Sequence, residues 1–550
     1  MKSLPPNTPV LAGSAQVTRR PAPDTGAASG LEPVDLMAEA LAGAAEDCGG
    51  SGAGRSLLER ASTLCAIGTL CWEYRNPALL VAERLGLDPP HLCSTPVGGN
   101  SGQLVAAYAA RAISEGQIDV ALVTGAESFY SARAARRDPS HPSLDWTSQP
   151  PETPDPLYVG TDKDPVTVTE LQAGLDRPAR VFALFENAIR HVRGWTIDEH
   201  RRKLGSLWAS LSRVAAGNPN AWIRREYGPE EICQVSESNR MVSFPYTKLL
   251  NANDQIDEAA AFILCSAEAA AAAGVPADRF VFPVSSADAN DHWFMSHRMN
   301  LYSSPAIALA GRAALDLAGA SIDDIGLVDL YSCFPSAVQM AADALGLPID
   351  DPSRPLTVTG GLTFAGGPGN NYVTHSIGAM AGRLRESSGG TGLVTGLGWY
   401  ASKHSVGIWS AEPPAEGFHY VNVQDEVDRL PQRRPATDDT DGVEIETYTV
   451  VHSKAGPANF AIASYLTEDG CRGWGQIHDK ATLASLEVEE GCGRKATVEP
   501  ASPAIDDGQS RARRARTAGQ GSPAIPGITA ALNAALDPDR APAPRELNIH

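Results

Sequence analysis

The chain has 550 residues with 45 Lys+Arg against 65 Asp+Glu, a formal net charge of −20. That balance excludes a nucleic-acid-coating protein and a membrane-surface anchor held by charge. With 43% hydrophobic and 20% charged residues, the chain reads as globular and long enough to bury more than one core. The N-terminal MKSLPPNTPVLAG lacks the charged-then-apolar run of a signal peptide, and the most apolar stretch, Ala259 to Val275, is broken by Glu268. Neither secretion nor a membrane span is expected. The nine cysteines are odd in number and contain no CxxC pair, which predicts a reduced, cytoplasmic protein with no disulfide frame and no metal site.

In chain order, Pro9 to Val17 predicts a strand, and Val34 to Ala45 places Leu36, Met37, Ala40, Leu41 and Ala44 at helical spacing. Residues 138 to 165 hold seven prolines, which predicts a long surface loop or lid. Thr196 and Glu199 form a capping box ahead of Leu204, Leu207, Trp208 and Leu211; Ser304-Pro305 opens a helix ending near Gly319, and Leu327 to Tyr331 predicts a short strand. Helices alternating with strands in this way predict an α/β protein with a parallel or mixed sheet covered on its faces.

An internal repeat stands out. Gly98-Gly99-Asn100-Ser101-Gly102 precedes AYAARAISEG and then Leu122-Val123-Thr124-Gly125, while Gly366-Gly367-Pro368-Gly369-Asn370 precedes AMAGRLRESSG and then Leu393-Val394-Thr395-Gly396. Each copy reads as a glycine loop, a helix and a strand. A glycine loop entering a helix sets free N–H groups and a positive dipole end at one point, suited to a phosphate or an oxyanion; equally, the glycines serve close packing. Neither loop is a P-loop or a dinucleotide fingerprint, so ATP and NAD chemistry are not expected.

Past residue 412 the composition shifts. RLPQRRPATDDTDG connects to an alternating strand at Val443 to Val451, with further strands near 459–466 and 471–477, a helix over 480–490 and a strand at Arg494 to Val498. That order fits a small OB-like barrel. Residues 413–500 carry 16 acidic against 8 basic residues, which opposes single-stranded nucleic acid as its ligand and leaves a structural, acyl-chain or protein-docking role. The remainder, 501–550, is Pro, Ala, Gly and Arg rich and predicts a disordered tail.

Over residues 8 to 411 the chain resembles the thiolase superfamily, on GGNSGQLVAAYAARAISEGQIDVALVTGAES (98–128), FPYTKLLNANDQIDEAAAFIL (244–264), LVDLYSCFPSAVQMAADALG (327–346), TGGLTFAGGPGNNYVTHSIGAM (359–380) and TGLGWYASKHSVG (395–407). It looks nearest to the thiolase-like protein type 1 group, relatives of the sterol carrier protein-type thiolases with an added C-terminal domain. The resemblance implies a duplicated five-layered αβαβα fold acting on acyl-CoA thioesters in lipid metabolism. The organisation it implies is an N-terminal half over 1–275, with a Pro-rich loop region at about 131–240, a C-terminal half over 276–412, the OB-like unit at 413–500 and the tail at 501–550.

The family's chemistry needs a cysteine nucleophile, a histidine that activates it and a second cysteine for proton transfer. Carried onto this sequence, those positions fall on Gly99, Gly367 and Gly396, and the oxyanion-orienting residue of the fourth loop falls on Tyr331. Classical thiolysis is therefore not expected. Substitute acid, base or nucleophile roles fall to Tyr331, Cys333, His375 and His404, against a structural role for each. Ligand contact falls to Gly99, Asn100, Ser101, Gly366, Gly367, Asn370 and Asn371. Coenzyme A or acyl-CoA is the expected ligand, with no permanently bound cofactor, no nucleic acid, and residues 413–500 open to a protein partner. Three functions follow: an acyl-CoA-binding acetyltransferase relative with altered or lost activity, a cysteine-independent C–C lyase of retro-aldol type, or a non-catalytic CoA sensor or scaffold.

Overall fold

A computed structural model describes residues 4–20, 31–137, 144–161, 163–387, 390–436, 442–500 and 545–549. The first half of the chain contributes strands β1 (Pro9–Thr18), β2 (Thr63–Ala66), β3 (His91–Ser94), β4 (Val120–Ser128), β5 (Leu157–Tyr158), β6 (Met241–Ser243), β7 (Tyr246–Thr247) and β8 (Asp257–Ser266). The second contributes β9 (Phe282–Asn290), β10 (Leu327–Asp329), β11 (Thr391–Gly398), β12 (Lys403–Ser410) and β13 (His419–Asn422). Then come β14 (Val443–His452), β15 (Ala458–Leu466), β16 (Arg472–Ile477), β17 (Lys495–Pro500) and β18 (Arg545–Ile549).

The repeat in the sequence is a repeat in space. One sheet runs β1-β8-β4-β2-β3-β5 and the other β10-β11-β12-β9-β13. In the first, β2 and β4 are parallel while β4–β8 and β8–β1 are antiparallel; in the second, β10 and β11 are parallel while β11–β12 and β12–β9 are antiparallel. Helices Ser101–Ser114 and Tyr372–Glu386, each following its own glycine loop, pack together between the two sheets. Helix Pro33–Asp47 covers the outer face of the first sheet and helix Pro305–Ala318 that of the second. Five layers result, as the resemblance implied. The central strands are buried on both faces, and β4 and β8 show no exposed position along their length, as expected for strands covered by helices on either side.

Local signals hold up well. Thr196 and Glu199 close a reciprocal capping box on helix Ile197–Gly217, and Ser304 caps Pro305–Ala318, which ends at left-handed Gly319. Within the described part of the Pro-rich segment, β5 pairs with β3, and Thr147 N–H donates to buried Glu32. This stretch is pinned to the first half; residues 138–143 of the expected loop lie outside the described residues.

Beyond residue 412 two expectations need correction. β13 adds to the second sheet through parallel pairing with β9, so that half reaches past 412. And the last strand, β18, lies within the stretch read as a tail: it pairs antiparallel with β17 and parallel with β16, and Leu547 is buried. Five residues in a Pro- and Ala-rich context carry too little periodicity to signal a strand. β14, β15, β16, β18 and β17 close into a barrel in that order, β17 returning to β14, with helix Lys480–Leu486 between β16 and β17.

The barrel is bound tightly to the rest. β6 and β7, from the first half, extend its sheet through Ser243 opposite Val451. Fully buried Arg472 donates to Glu446 through Nε (2.7 Å) and Nη2 (2.6 Å), and through Nη1 to the carbonyl of Met295 at 2.7 Å. No helix among the described residues is long and apolar enough to cross a membrane.

Candidate functional site

The first glycine loop connects β3 to helix Ser101–Ser114. Ser101 Oγ donates to Gly98 O at 2.6 Å, and Gly98 N–H donates to Asn370 Oδ1 at 2.9 Å. The loop lies flat on β11. A Cβ on Gly99 would sit 2.5 Å from both Tyr331 Cζ and the Leu397 carbonyl oxygen, and closer still to the Tyr331 hydroxyl. One on Gly396 would sit 2.7 Å from Asn100 Cα, and one on Gly398 the same 2.7 Å from Asn100 Oδ1. Glycine at these positions is what allows the two segments to touch. The Tyr331 phenol fills the volume a nucleophile at position 99 would need.

The second loop, Gly366–Asn371, sits on an acidic floor. Glu127 of β4 and Glu258 of β8 are direct cross-strand partners, both buried. A Cβ on Gly369 would lie 2.6 Å from Glu127 Oε1, and one on Gly366 would overlap the Glu258 carboxylate; both glycines hold positive φ, 54° and 127°. Glu127 accepts the Leu70 and Cys71 N–H groups at 2.6 and 2.9 Å, yet burial pushes its carboxyl up to about 7. Burial, with the charge of Asp257 adding, holds Glu258 well above the usual carboxylate range, and its Oε1 has no hydrogen-bond partner. Gly367 N–H donates to Asn253 O at 2.9 Å, and a Cβ there would meet the same oxygen at 3.1 Å. Burial thus favours the protonated form of both carboxyl groups under the loop.

The two asparagines expected to reach a thioester oxygen are occupied in joining the halves. Asn370 Nδ2 donates to Gly68 O at 2.7 Å, and Asn371 Nδ2 to Gly125 O at 2.6 Å. Asn100 Nδ2 likewise donates to Ser405 Oγ at 3.2 Å.

Of the four residues considered for acid, base or nucleophile roles, Tyr331 and His404 come together. Both line a cavity of about 10 Å³ with Thr395, Gly396 and Leu397, space for about one water at most. Tyr331 packs edge-on to Tyr372 at 5.4 Å, and burial pushes its phenol up. His404 Nε2 meets Ala401 O at 3.0 Å and Ser304 Oγ at 3.3 Å, and burial pulls its imidazole down to about 4 against the opposing charge of Asp291. Cys333 is buried, its thiol pushed up by that burial, and neighbouring Phe334 stacks on Phe182 at 4.6 Å and Tyr246 at 5.6 Å. This is a packed aromatic cluster and no place for a thiolate. His375 faces away from the first loop: its Nδ1 lies 3.1 Å from Gln16 on β1, and burial lowers its imidazole to about 3.

Several polar residues beside the loops carried no motif to flag them. Lys403 Nζ donates to Val97 O at 2.7 Å, pinning the approach to Gly98. Asp288 lines a cavity of about 60 Å³ with Asn100, Ser101, Lys403 and His404; burial raises its carboxyl to about 6 against the hydroxyls of Ser405 and Tyr420. A cavity of about 740 Å³ is lined by Trp72, Tyr74, Phe129, Arg133 and Tyr158, and by Val97, which precedes the first loop, and Asn370 of the second. Glu127 was the most legible of the missed residues, because it is the lone acid of an otherwise apolar or small-residue strand; Glu258 follows Asp257 at the start of its own strand.

No family model matches the chain. It is similar to a monomeric SCP2-thiolase like protein type 1 of Mycobacterium smegmatis, with 29% identity and a TM-score of 0.76 over 91% of this chain and 98% of that one. The chain belongs to the thiolase superfamily. An acetyl-CoA acetyltransferase of Methanothermobacter thermautotrophicus is 24% identical over 312 residues, 57% of this chain and 72% of that relative. The dimeric peroxisomal thiolase of Saccharomyces cerevisiae shares the fold at a TM-score of 0.50 and 14% identity, over 74% of this chain and 99% of that one. Within the superfamily, then, this member carries glycine at positions 99, 367 and 396, and all three are packed against chain from the opposite half.

Proposed function

We propose that this thiolase-superfamily member binds acyl-CoA without performing cysteine-dependent acyl transfer. The observation that carries the reading is the Tyr331 phenol over Gly99, which leaves neither a nucleophile nor room for one. The 740 Å³ cavity supplies the ligand space, within the range of small-molecule sites; its aromatic rings suit an adenine face, and its two arginines, of which Arg133 is paired with Asp254 in the same wall, suit phosphate. The relative named acetyl-CoA acetyltransferase supports a CoA thioester as the ligand class. In the C-terminal unit, the strand order and the helix between the third and fourth strands support an OB-like barrel, acidic and suited to a protein partner rather than nucleic acid. The nine free cysteines fit a reducing cytoplasm.

The lyase reading is less well supported, because Tyr331 and His404 enclose only about 10 Å³. A melt with coenzyme A, acetyl-CoA and acetoacetyl-CoA tests the proposal. At a hundredfold excess over Kd, the binding ligand adds about 2.7 kcal/mol of stability, while thiolysis stays at the buffer rate and no cysteine is acylated by mass spectrometry. No shift with any of the three removes the ligand class. Thiolysis with an acylated cysteine removes the non-catalytic reading, and retro-aldol turnover lost in Tyr331→Phe installs the lyase in its place.

A further inference from the structure

Far from the glycine loops, the contact between the barrel and the thiolase body gathers three metal-ligating side chains. His191 lies in the last turn of helix Pro178–Val192, while Glu490 and Cys492 lie on the turn between helix Lys480–Leu486 and β17. One ligand atom from each lies within 4.8 Å of the others, and burial deepens from exposed His191 through Glu490 to buried Cys492. The cluster thus has an open mouth and a sulfur floor.

Each donor turns one ligand atom toward the other two. Glu490 Oε1 is engaged, accepting from Arg190 Nη2 at 2.7 Å and from the Cys492 N–H at 2.9 Å. Oε2 is turned to His191 Nδ1 at 3.7 Å, beyond hydrogen-bond range, with a long 3.4 Å contact from Arg190 Nε. Cys492 Sγ reaches Asn187 O at 3.9 Å, a weak contact. Left-handed Gly493 (φ 81°) turns the chain back at this point, and a Cβ there would approach His191 Cε1 at 3.8 Å.

We propose that His191, Glu490 Oε2 and Cys492 Sγ form a binding site for a zinc-class divalent ion that staples the barrel to the body. Nitrogen, oxygen and sulfur in one set match zinc and cobalt and reject magnesium and calcium, which take oxygen. Three protein ligands leave the fourth tetrahedral position to water on the exposed side. The ion displaces the thiol proton, so that +2 meets one thiolate and a carboxylate it shares with Arg190, which keeps its contact through Oε1; the net +1 left over favours hydroxide or another anion at the open fourth position. The ion cross-links His191 to Glu490 and Cys492, 299 and 301 positions further along the chain.

The test uses the full-length chain, stripped with a chelator and titrated with cobalt. The expected result is one equivalent bound with a thiolate-to-cobalt charge-transfer band, bleached by zinc, and a higher melting temperature with either ion. Cys492→Ser abolishes the band. His191→Ala, at a half-exposed position where folding is not at stake, weakens binding by at least about 10-fold, the loss that follows even from removing a residue that merely supports a ligand; His191→Cys retains it. The proposal is overturned if no charge-transfer band forms at one equivalent, if the band survives Cys492→Ser, or if His191→Ala binds as tightly as the native chain.

Discussion

The two glycine loops are related by duplication, yet each is closed by a different chemistry drawn from the opposite half. Loop 98–102 is sealed by Tyr331 and by β11, which together form an aromatic and apolar cover. Loop 366–371 rests on Glu127 and Glu258, a pair of buried carboxyls. In both, the absence of a Cβ is what lets the opposite half approach. The difference lies in what reopening would do. Taking away one ring relieves the first loop in part, with the Leu397 carbonyl oxygen still 2.5 Å from a Gly99 Cβ, whereas the second is closed by carboxyls whose proton responds to pH.

The largest expected effect is on the first loop. Tyr331→Ala removes a buried ring between Gly99 and Tyr372, and its cost in equilibrium unfolding is expected to be about 3–5 kcal/mol. A loss below about 1 kcal/mol would mean that the ring does not fill that space.

Next is the pH response of the second loop. The Glu127 carboxyl stands at about 7 in the folded chain against an ordinary 4.5. The folded state therefore holds the proton more tightly than the unfolded one, so this contribution is fully present below pH 4.5 and is lost as pH rises through 7. The expected loss is about 3 kcal/mol at about 1.4 kcal/mol per unit, and Glu127→Gln should flatten it. Unfolding curves at pH 5 and pH 8 decide the matter: an unchanged slope in the variant means that the carboxyl is already ionised at neutral pH. His404 acts in the opposite sense. Its folded value near 4 lies below the ordinary 6.5, so its contribution is present above 6.5 and lost as pH falls through 4, giving an acid limb that His404→Gln should shorten.

Smaller is the cost of rebuilding a thiol in the first loop. Gly99→Cys meets Tyr331 and is expected to lose about 1–3 kcal/mol through overpacking, with no thiolysis gained. Paired with Tyr331→Ala, the two losses should fall short of their sum, since each relieves the other. Strict additivity in that cycle would show that the two side chains do not compete for one volume. Smallest is Tyr331→Phe, within about 1 kcal/mol if the ring rather than the hydroxyl closes the loop.

Much of the frame is legible in the order of residues alone. The duplicated loop, helix and strand, the Thr196–Glu199 box and the Ser304-Pro305 start all reflect local rules that tertiary packing then reinforces. The site is not legible in the same way. Cys333, His375 and His404 are reactive residue types close in sequence to family motifs, but reactivity depends on solvent and neighbours, and burial leaves the thiol protonated and the imidazoles neutral. Nor can a glycine in a string of letters say which distant residue occupies the vacated space. Position 99 and Tyr331 are 232 positions apart by number, and only the folded chain shows that they share one volume.

One further consequence concerns time. Helix Pro178–Val192 and strands β6 and β7 complete their hydrogen bonding only with β14: Asn187 Nδ2 donates to Tyr448 O at 2.7 Å, and Phe244 O accepts from Thr449 Oγ1 at 2.9 Å. At roughly 5–20 residues per second, a ribosome takes about 10–40 s to cover the roughly 200 residues between Ser243 and Val451. For that interval the nascent chain carries an unpaired strand edge and an uncovered apolar helix face, surface of the kind that favours aggregation, until the barrel emerges to cover both.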